Sequence, residues 1–479
     1  MTTHLASMVP GSTEYDGVVE IHAPYDGELI GTLDAATSAT VEQALATAHG
    51  LFRDRSRWLP KAQRIEILAR TVALMEEQAP LLTRLAAQEG GKPLRDSRVE
   101  VARAIDGVRN CIDCLRANAG EEIPMGLDAA SAGRLAFTRH EPIGPVVAVS
   151  AFNHPLNLIV HQVAPAIAAG NPVIVKPAED TPLSCYRFVQ LLHEAGLPEH
   201  WCQALVVGDV ELATQLVTDP RVAFFSFIGS SRVGWMLRSK LAPGTRCALE
   251  HGGAAPVIID ADADIDAAIP LLSKGGFYHA GQVCVSVQRV FCHDRIVRDM
   301  AERLAYAAKR LRVDDPLLET TDVGPLIRHR EVNRVHEWVL EARSAGAEVL
   351  SGGNTLSESC YAPTVLFNPP DHVRVSQQEV FGPVVCVYSF TELDEAIARA
   401  NALPFAFQAS VFTRDLNRAL YASGRLDASA VMVNDHTAFR VDWMPFAGQR
   451  QSGLGTGGIP YSFHDMQTAK MTVLRSPAL

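Results

Sequence analysis

The chain has 479 residues, 47% of them apolar and 20% charged, with a formal net charge of −11. That length exceeds one ordinary core and calls for roughly two to three domains. An acidic chain with no basic run interleaved with aromatics repels phosphate backbones, which sets nucleic acid aside as a partner. No apolar stretch reaches the roughly 18 residues that a membrane span needs.

The N-terminal residues lack the charged start and apolar core of a secretory signal. Nine scattered cysteines, an odd number, suit free thiols in a reducing compartment. A cytoplasmic protein is therefore expected. Cys111 and Cys114 have zinc-like spacing, but they fall in a helical run with no second Cys/His pair nearby, so no metal site is expected.

In chain order, residues 38 to 118 read as helices. Ser38-Ala39-Thr40-Val41-Glu42 offers a capped start, and Ala, Leu and Ile recur at spacings of three and four through Leu51 and again from Ala62 to Met75. Gly90-Gly91-Lys92-Pro93 breaks the run before a further helix. Leu135 to His140 alternates in character and reads as a strand pair projecting from the body. From Gly144 onward, short apolar runs (Pro145–Ser150, Pro172–Lys176, Ala204–Val207, Ala223–Ile228) are separated by helical segments. A second such series begins at Pro256–Asp260 and continues through Arg289–Cys292, Glu348–Leu350, Val384–Tyr388, Ala409–Phe412 and Val431–Asn434. Strands alternating with helices imply parallel βαβ units, hence an α/β chain with two doubly wound parallel-sheet domains and a changeover near Leu249–Pro256.

Four short motifs carry chemistry. Gly281-Gln282-Val283-Cys284 puts a cysteine after a glycine-containing bend, where it can act as a nucleophile. Glu250, 284 − 250 = 34 positions earlier and followed by His251, Gly252 and Gly253, is a candidate to activate a water. Each residue alone also has a bland reading: a small buried cysteine, a surface carboxylate. Together with Phe152-Asn153-His154-Pro155 and Glu379-Val380-Phe381-Gly382-Pro383, their order and spacing resemble the aldehyde dehydrogenase superfamily, from about residue 20 to the C-terminal tail.

The resemblance implies a Rossmann-like NAD-binding domain (1–120 and 141–249), a catalytic domain (250–465) and a small β oligomerisation extension (121–140 and 466–479), assembled as a homodimer or homotetramer. It implies oxidation of a small-molecule aldehyde to the acid. Cys284 would form a thiohemiacetal whose oxygen is stabilised by the Asn153 amide and the Cys284 backbone N–H. Hydride loss would leave a thioester, and Glu250 would activate the water that hydrolyses it. For the cofactor, Gly229 and Ser230 stand at a strand-to-helix turn suited to a pyrophosphate. Lys176 and Glu179 end a strand where the adenosine ribose would bind, and Glu379 and Phe381 belong to the element that holds the nicotinamide ribose. Glu179 would repel a 2′-phosphate, which favours NAD over NADP. Phe152, His154, His161 and Arg440 are expected at the substrate pocket.

Several positions depart from the family pattern: His251 and Ala254 after the glutamate, His279 before the nucleophile, and Ala447 and Arg450 near the C-terminus. His251 has two readings, a tuner of the neighbouring base or a histidine directed away along its strand. Phe152-Asn153-His154-Pro155-Leu156-Asn157 and Phe439–Pro445 look like the lactaldehyde, phosphonoacetaldehyde and semialdehyde branch, although Val283 stands where binders of strongly anionic aldehydes often have arginine. The competing readings are a coenzyme A-acylating dehydrogenase, against which Glu250 argues, a nicotinamide-binding protein without turnover, and a cysteine hydrolase.

Overall fold

The computed structural model describes residues 3–479. Two α/β bodies face each other. The first holds a six-stranded sheet in the order Gly453–Leu454, Arg246–Glu250, Phe224–Ile228, Val146–Val149, Val173–Lys176, Cys202–Ala204. All its pairings are parallel except that of Gly453–Leu454. The second holds seven strands in the order Glu348–Ser351, Thr364–Phe367, Val384–Phe390, Val287–His293, Ala255–Ile259, Gln408–Phe412, Ala430–Val433, antiparallel only at Glu348–Ser351. Central strands covered by helices on both faces must be apolar along their whole length, which is why Val146–Ala148 and Val384–Val387 are buried without alternation.

The sequence-predicted helical region resolves into Ser38–Arg53, Lys61–Glu77, Ala79–Gly90 and Leu94–Ala117. Among the strands not foreseen are Thr364–Phe367 and the two-residue Gly453–Leu454 in a glycine-rich stretch. The latter matters for domain limits. The second core runs from Val257 to Leu426, whereas Ile459, Phe463 and Met466 pack into the first. The catalytic span expected to reach residue 465 is therefore too long: the chain returns to the first body once Gly453–Leu454 joins the strand Arg246–Glu250. The tail strand Gln467–Arg475 pairs antiparallel with Arg134–Pro142, which also pairs with Glu122–Ile123, so the two parts of the expected extension form one small sheet. The projecting segment is thus one long strand bordered by two partners rather than a pair.

One buried ion pair caps a buried helix of the first body. The helix Asn157–Ala169 is buried on every face and lacks a side-chain cap of its own. Its first N–H groups are satisfied from outside: Glu100 accepts from Leu156 N at 2.9 Å and Asn157 N at 3.0 Å. The other Glu100 oxygen binds Lys92, and both side chains are wholly buried. A carboxylate at a helix N-terminus is favoured by the dipole and the unpaired donors, and Lys92 balances its charge.

We predict that Glu100→Ala lowers stability by about 3–5 kcal/mol, because it strands a buried ammonium and uncaps the helix. The double change Lys92→Met/Glu100→Gln should lose distinctly less. Urea-unfolding midpoints check this, and equal losses would contradict it.

Candidate active site

The C-terminal ends of the parallel strands of the first sheet deliver one wall of a cleft of about 780 Å³, the usual location of ligands in such sheets. Val146–Val149 leads into Phe152, Asn153 and His154. Val173–Lys176 leads to Glu179, Phe224–Ile228 to Gly229 and Ser230, and Arg246–Glu250 ends on Glu250 itself. The second body supplies Cys284, Glu379, Phe381 and Arg440.

The turn before Cys284 is built from three successive left-handed residues: His279 (φ 48°), Ala280 (φ 55°) and Gly281 (φ 70°). A Cβ on Gly281 would lie 2.1 Å from the Gly382 carbonyl oxygen, so only glycine fits there. Histidine, like asparagine, tolerates the left-handed region better than most residues. That accounts for His279 at this position, although its two buried ring nitrogens find no partner. The turn is tied down by Gln282, whose side-chain amide donates to His279 O (3.3 Å) and Pro325 O (3.2 Å) and accepts from Ile327 N (2.9 Å). Asn153 reaches across from the first body and donates from Nδ2 to Gln282 O at 2.9 Å.

Cys284 is half-buried and unbridged. Burial pushes its thiol up to about 12, against the pull of Arg440 and with the carboxylates of Glu250 and Glu379 adding to the rise. Burial likewise raises the Glu250 carboxyl, with Arg440 opposing. The Glu250 carboxylate lies against Gly457, where an added Cβ would fall 1.9 Å from Oε1. His251, one residue on, turns its ring toward the helix Ser231–Arg238. Nδ1–H donates to Gly229 O at 3.0 Å, the ring meets Phe227 and Trp235 edgewise, and burial holds it neutral below its ordinary range. Of the two readings for this residue, the one directed away along the strand describes its contacts.

The residues assigned to a cofactor fit a nicotinamide dinucleotide. Ser230 precedes the helix Ser231–Arg238 yet makes no capping bond, so its hydroxyl and the first N–H groups are left for an anion. Lys176 is buried, with Nζ 3.4 Å from Pro177 O and 3.9 Å from Glu179. Glu379 accepts from Gly253 N at 3.0 Å and rests on Gly252, where a Cβ would collide with it. Burial carries the Glu379 carboxyl up to about 8, against the Gly253 N–H and Arg334. Phe381, in the left-handed region (φ 46°), packs edgewise on Phe152 with centroids 5.8 Å apart.

Of the four side chains expected at the substrate pocket, Phe152, His154 and Arg440 line the cleft. His154 bonds to Tyr278 Oη at 3.1 Å. His161 corrects the expectation: it lies behind the wall, 3% exposed, because Asp442 holds its Nε2 at 2.7 Å from within the core. The sequence reading missed Asp442, Arg103, Tyr278 and Arg328. Arg328 comes from the second body, binds Asp180 at 2.7 Å and stands 3.8 Å from Glu179. A charged Asp442 inside the largely apolar run Phe439–Pro445 was the one available signal.

Comparison with known proteins agrees with this geometry. Residues 11–472 match the Aldehyde dehydrogenase family. A 3-sulfolactaldehyde dehydrogenase of Priestia megaterium is 36% identical over 456 residues, covering 95% of this chain and 94% of the relative. The crystal structure of aldehyde dehydrogenase 21 from Physcomitrella patens, solved with the reaction product succinate, superposes with a TM-score of 0.94 at 32% identity, over 99% of this chain and 98% of the other. A glyceraldehyde-3-phosphate dehydrogenase, GapN, of Methanocaldococcus jannaschii, complexed with NADP, gives 0.92 at 33% identity, over 97% and 100%. The chain belongs to the aldehyde dehydrogenase family and is an oxidoreductase of aldehydes that uses a nicotinamide cofactor.

Proposed function

We propose that this protein oxidises a short, substituted aldehyde to its carboxylic acid with NAD, with Cys284 as nucleophile, Asn153 as oxyanion donor and Glu250 as general base. The observation that carries this reading is the Asn153 bond to Gln282 O. It occupies one amide N–H and leaves the second, with the Cys284 backbone N–H, for an oxygen on the attacked carbon. The sulfur attacks the aldehyde carbon while the thiol proton passes to solvent, and the alkoxide settles between those donors. Glu379 would hold a bound nicotinamide nucleotide by its ribose, and that group would supply the acceptor for the hydride whose loss from the thiohemiacetal carbon leaves a thioester on Cys284. Glu250 then leaves its rest against Gly457, takes a proton from a water and lets it attack the thioester, which releases the acid and regenerates the thiol. Ser230 and the helix behind it hold the pyrophosphate, Lys176 and Glu179 the adenosine ribose, and Glu379 the nicotinamide ribose. The Priestia relative's name and the succinate in the moss enzyme support a short, polar aldehyde.

The same reading extends to assembly. The outer edge of Gln467–Arg475 is unpaired, and Met471, Val473 and Leu474 on it are exposed. A second copy covering that edge gives a homodimer or homotetramer. Nine unbridged cysteines suit the cytoplasm, and no helix among the described residues is long and apolar enough to cross a membrane.

Formation of NADH from NAD and an aldehyde panel tests the reaction. Cys284→Ala should abolish it, and equal rates in both proteins would overturn the covalent route. Glu250→Gln should release about one equivalent of NADH per subunit in a burst and then slow by roughly 10²–10⁴-fold, since only the hydrolytic half-reaction needs the base. Because burial raises the Glu250 carboxyl, the acid limb of kcat should fall above the ordinary carboxylate range, with activity lost as pH drops through it. Finally, Glu179→Gln should raise kcat/KM for NADP relative to NAD about tenfold, by removing a negative charge facing the 2′-phosphate.

A further inference from the structure

Arg440 lines the cleft together with Cys284 and Glu250, yet among the described residues it has a single hydrogen bond, from Nη2 to His161 Nδ1 at 3.3 Å. Its Nε is buried with no acceptor, and its guanidinium stacks on Phe446 with Cζ 3.6 Å from the ring centroid. A desolvated N–H left unpaired is unfavourable unless something else accepts from it. The stack fixes the plane of the fork without consuming a donor, and the one bond present is long.

The support behind Arg440 is closed by comparison. Asp442 accepts two bonds from Arg103 (3.1 and 2.7 Å), one from Asn157 Nδ2 (3.3 Å) and one from His161 Nε2 (2.7 Å). Burial alone would raise this carboxyl, but the His161 bond and the Arg103 charge hold it well below the usual carboxylate range. Burial and the charge of Arg440 push His161 down to about 4, against the pull of Asp442, so the ring is neutral at neutral pH. With Nε2–H donating to Asp442, Nδ1 is left as an acceptor that can only orient a donor, and that donor is Arg440. Arg103 and Asp442 cancel each other, so among the described residues Arg440 is the cation in this corner without an ion-pair partner.

We infer that Arg440 is the receptor for an anionic group on the substrate, and that His161, backed by Asp442, is its positioning residue. The inference rests on the aldehyde oxidation proposed above and narrows its substrate to short aldehydes that carry a monoanion, a carboxylate or a sulfonate, at the end remote from the carbonyl. A planar guanidinium with a free edge matches two oxygens of either group. A lone guanidinium outside any ion pair suits one negative charge better than the two of a phosphate.

The test compares kcat/KM for succinic semialdehyde and sulfoacetaldehyde with that for neutral butanal, in wild type and in Arg440→Met, Arg440→Lys and His161→Phe. Wild type should favour the anionic aldehydes, and the ratio between those two aldehydes assigns carboxylate or sulfonate. Arg440→Met should lower the anionic-to-neutral ratio by about 10- to 100-fold, Arg440→Lys should restore part of it, and His161→Phe should raise KM for the anionic aldehyde more than for butanal. A ratio unchanged in Arg440→Met overturns the inference, whatever happens to absolute rates. If no aldehyde is oxidised by wild type, the proposed function fails, and the inference is then decided separately by alkylation of Cys284. The iodoacetate-to-iodoacetamide rate ratio, read on the Cys284 peptide by mass spectrometry, should fall at least about tenfold in Arg440→Met, and an unchanged ratio refutes the anion site.

Discussion

The bond from Asn153 to the Gln282 carbonyl joins the two bodies at the point where the chemistry has to happen. An amide has two N–H groups, and here one is used to place the other. Because the acceptor lies two residues before Cys284, the positions of Asn153, the proposed oxyanion donor, and of Cys284, the proposed nucleophile, cannot drift independently. Gln282 is in turn held by His279 O, Pro325 O and Ile327 N. An oxyanion site helps only if its dipoles are fixed before charge develops, since reorienting them during the reaction would return the gain.

Around that clamp, buried charge is handled by saturation. Glu100 accepts two backbone N–H groups and Lys92, and Asp442 accepts from Arg103, Asn157 and His161. In a low-dielectric interior an unsatisfied ion is expensive, and Glu100 and Asp442 each collect several donors accordingly. Groups left open stand out against this background. Glu250 rests on the bare Cα of Gly457, the Ser230 hydroxyl caps nothing, and Arg440 keeps an N–H without an acceptor. All three residues line the same cleft as Cys284.

Much of this was readable from the chain. Apolar runs of four to seven residues between helical segments marked the central strands, because strands covered on both faces have no polar side to show. Cys284, Glu250, Asn153, Lys176 and Glu379 lay in motifs whose spacing identified them. Other features had no local signal. Every residue of Asn157–Ala169 is buried, so the helix carries no periodicity from which the facing of His161 could be read, and it turned out to lie behind the wall. Gly453–Leu454 is too short and too rich in glycine to look like a strand, which is why the end of the second domain was misplaced.

The amino-acid sequence by itself determined the two-sheet architecture and the family, and it supplied the residues proposed as nucleophile, base and oxyanion donor, because each depends on residue type and order over short stretches. The tertiary structure alone decided what those residues lean on. Arg103 and Asp442 are 339 positions apart, and Asn153 and Gln282 are 129 apart. Pairings of that range arise from packing one body against another, and no local pattern encodes which buried donor will meet which acceptor or which one will be left without any.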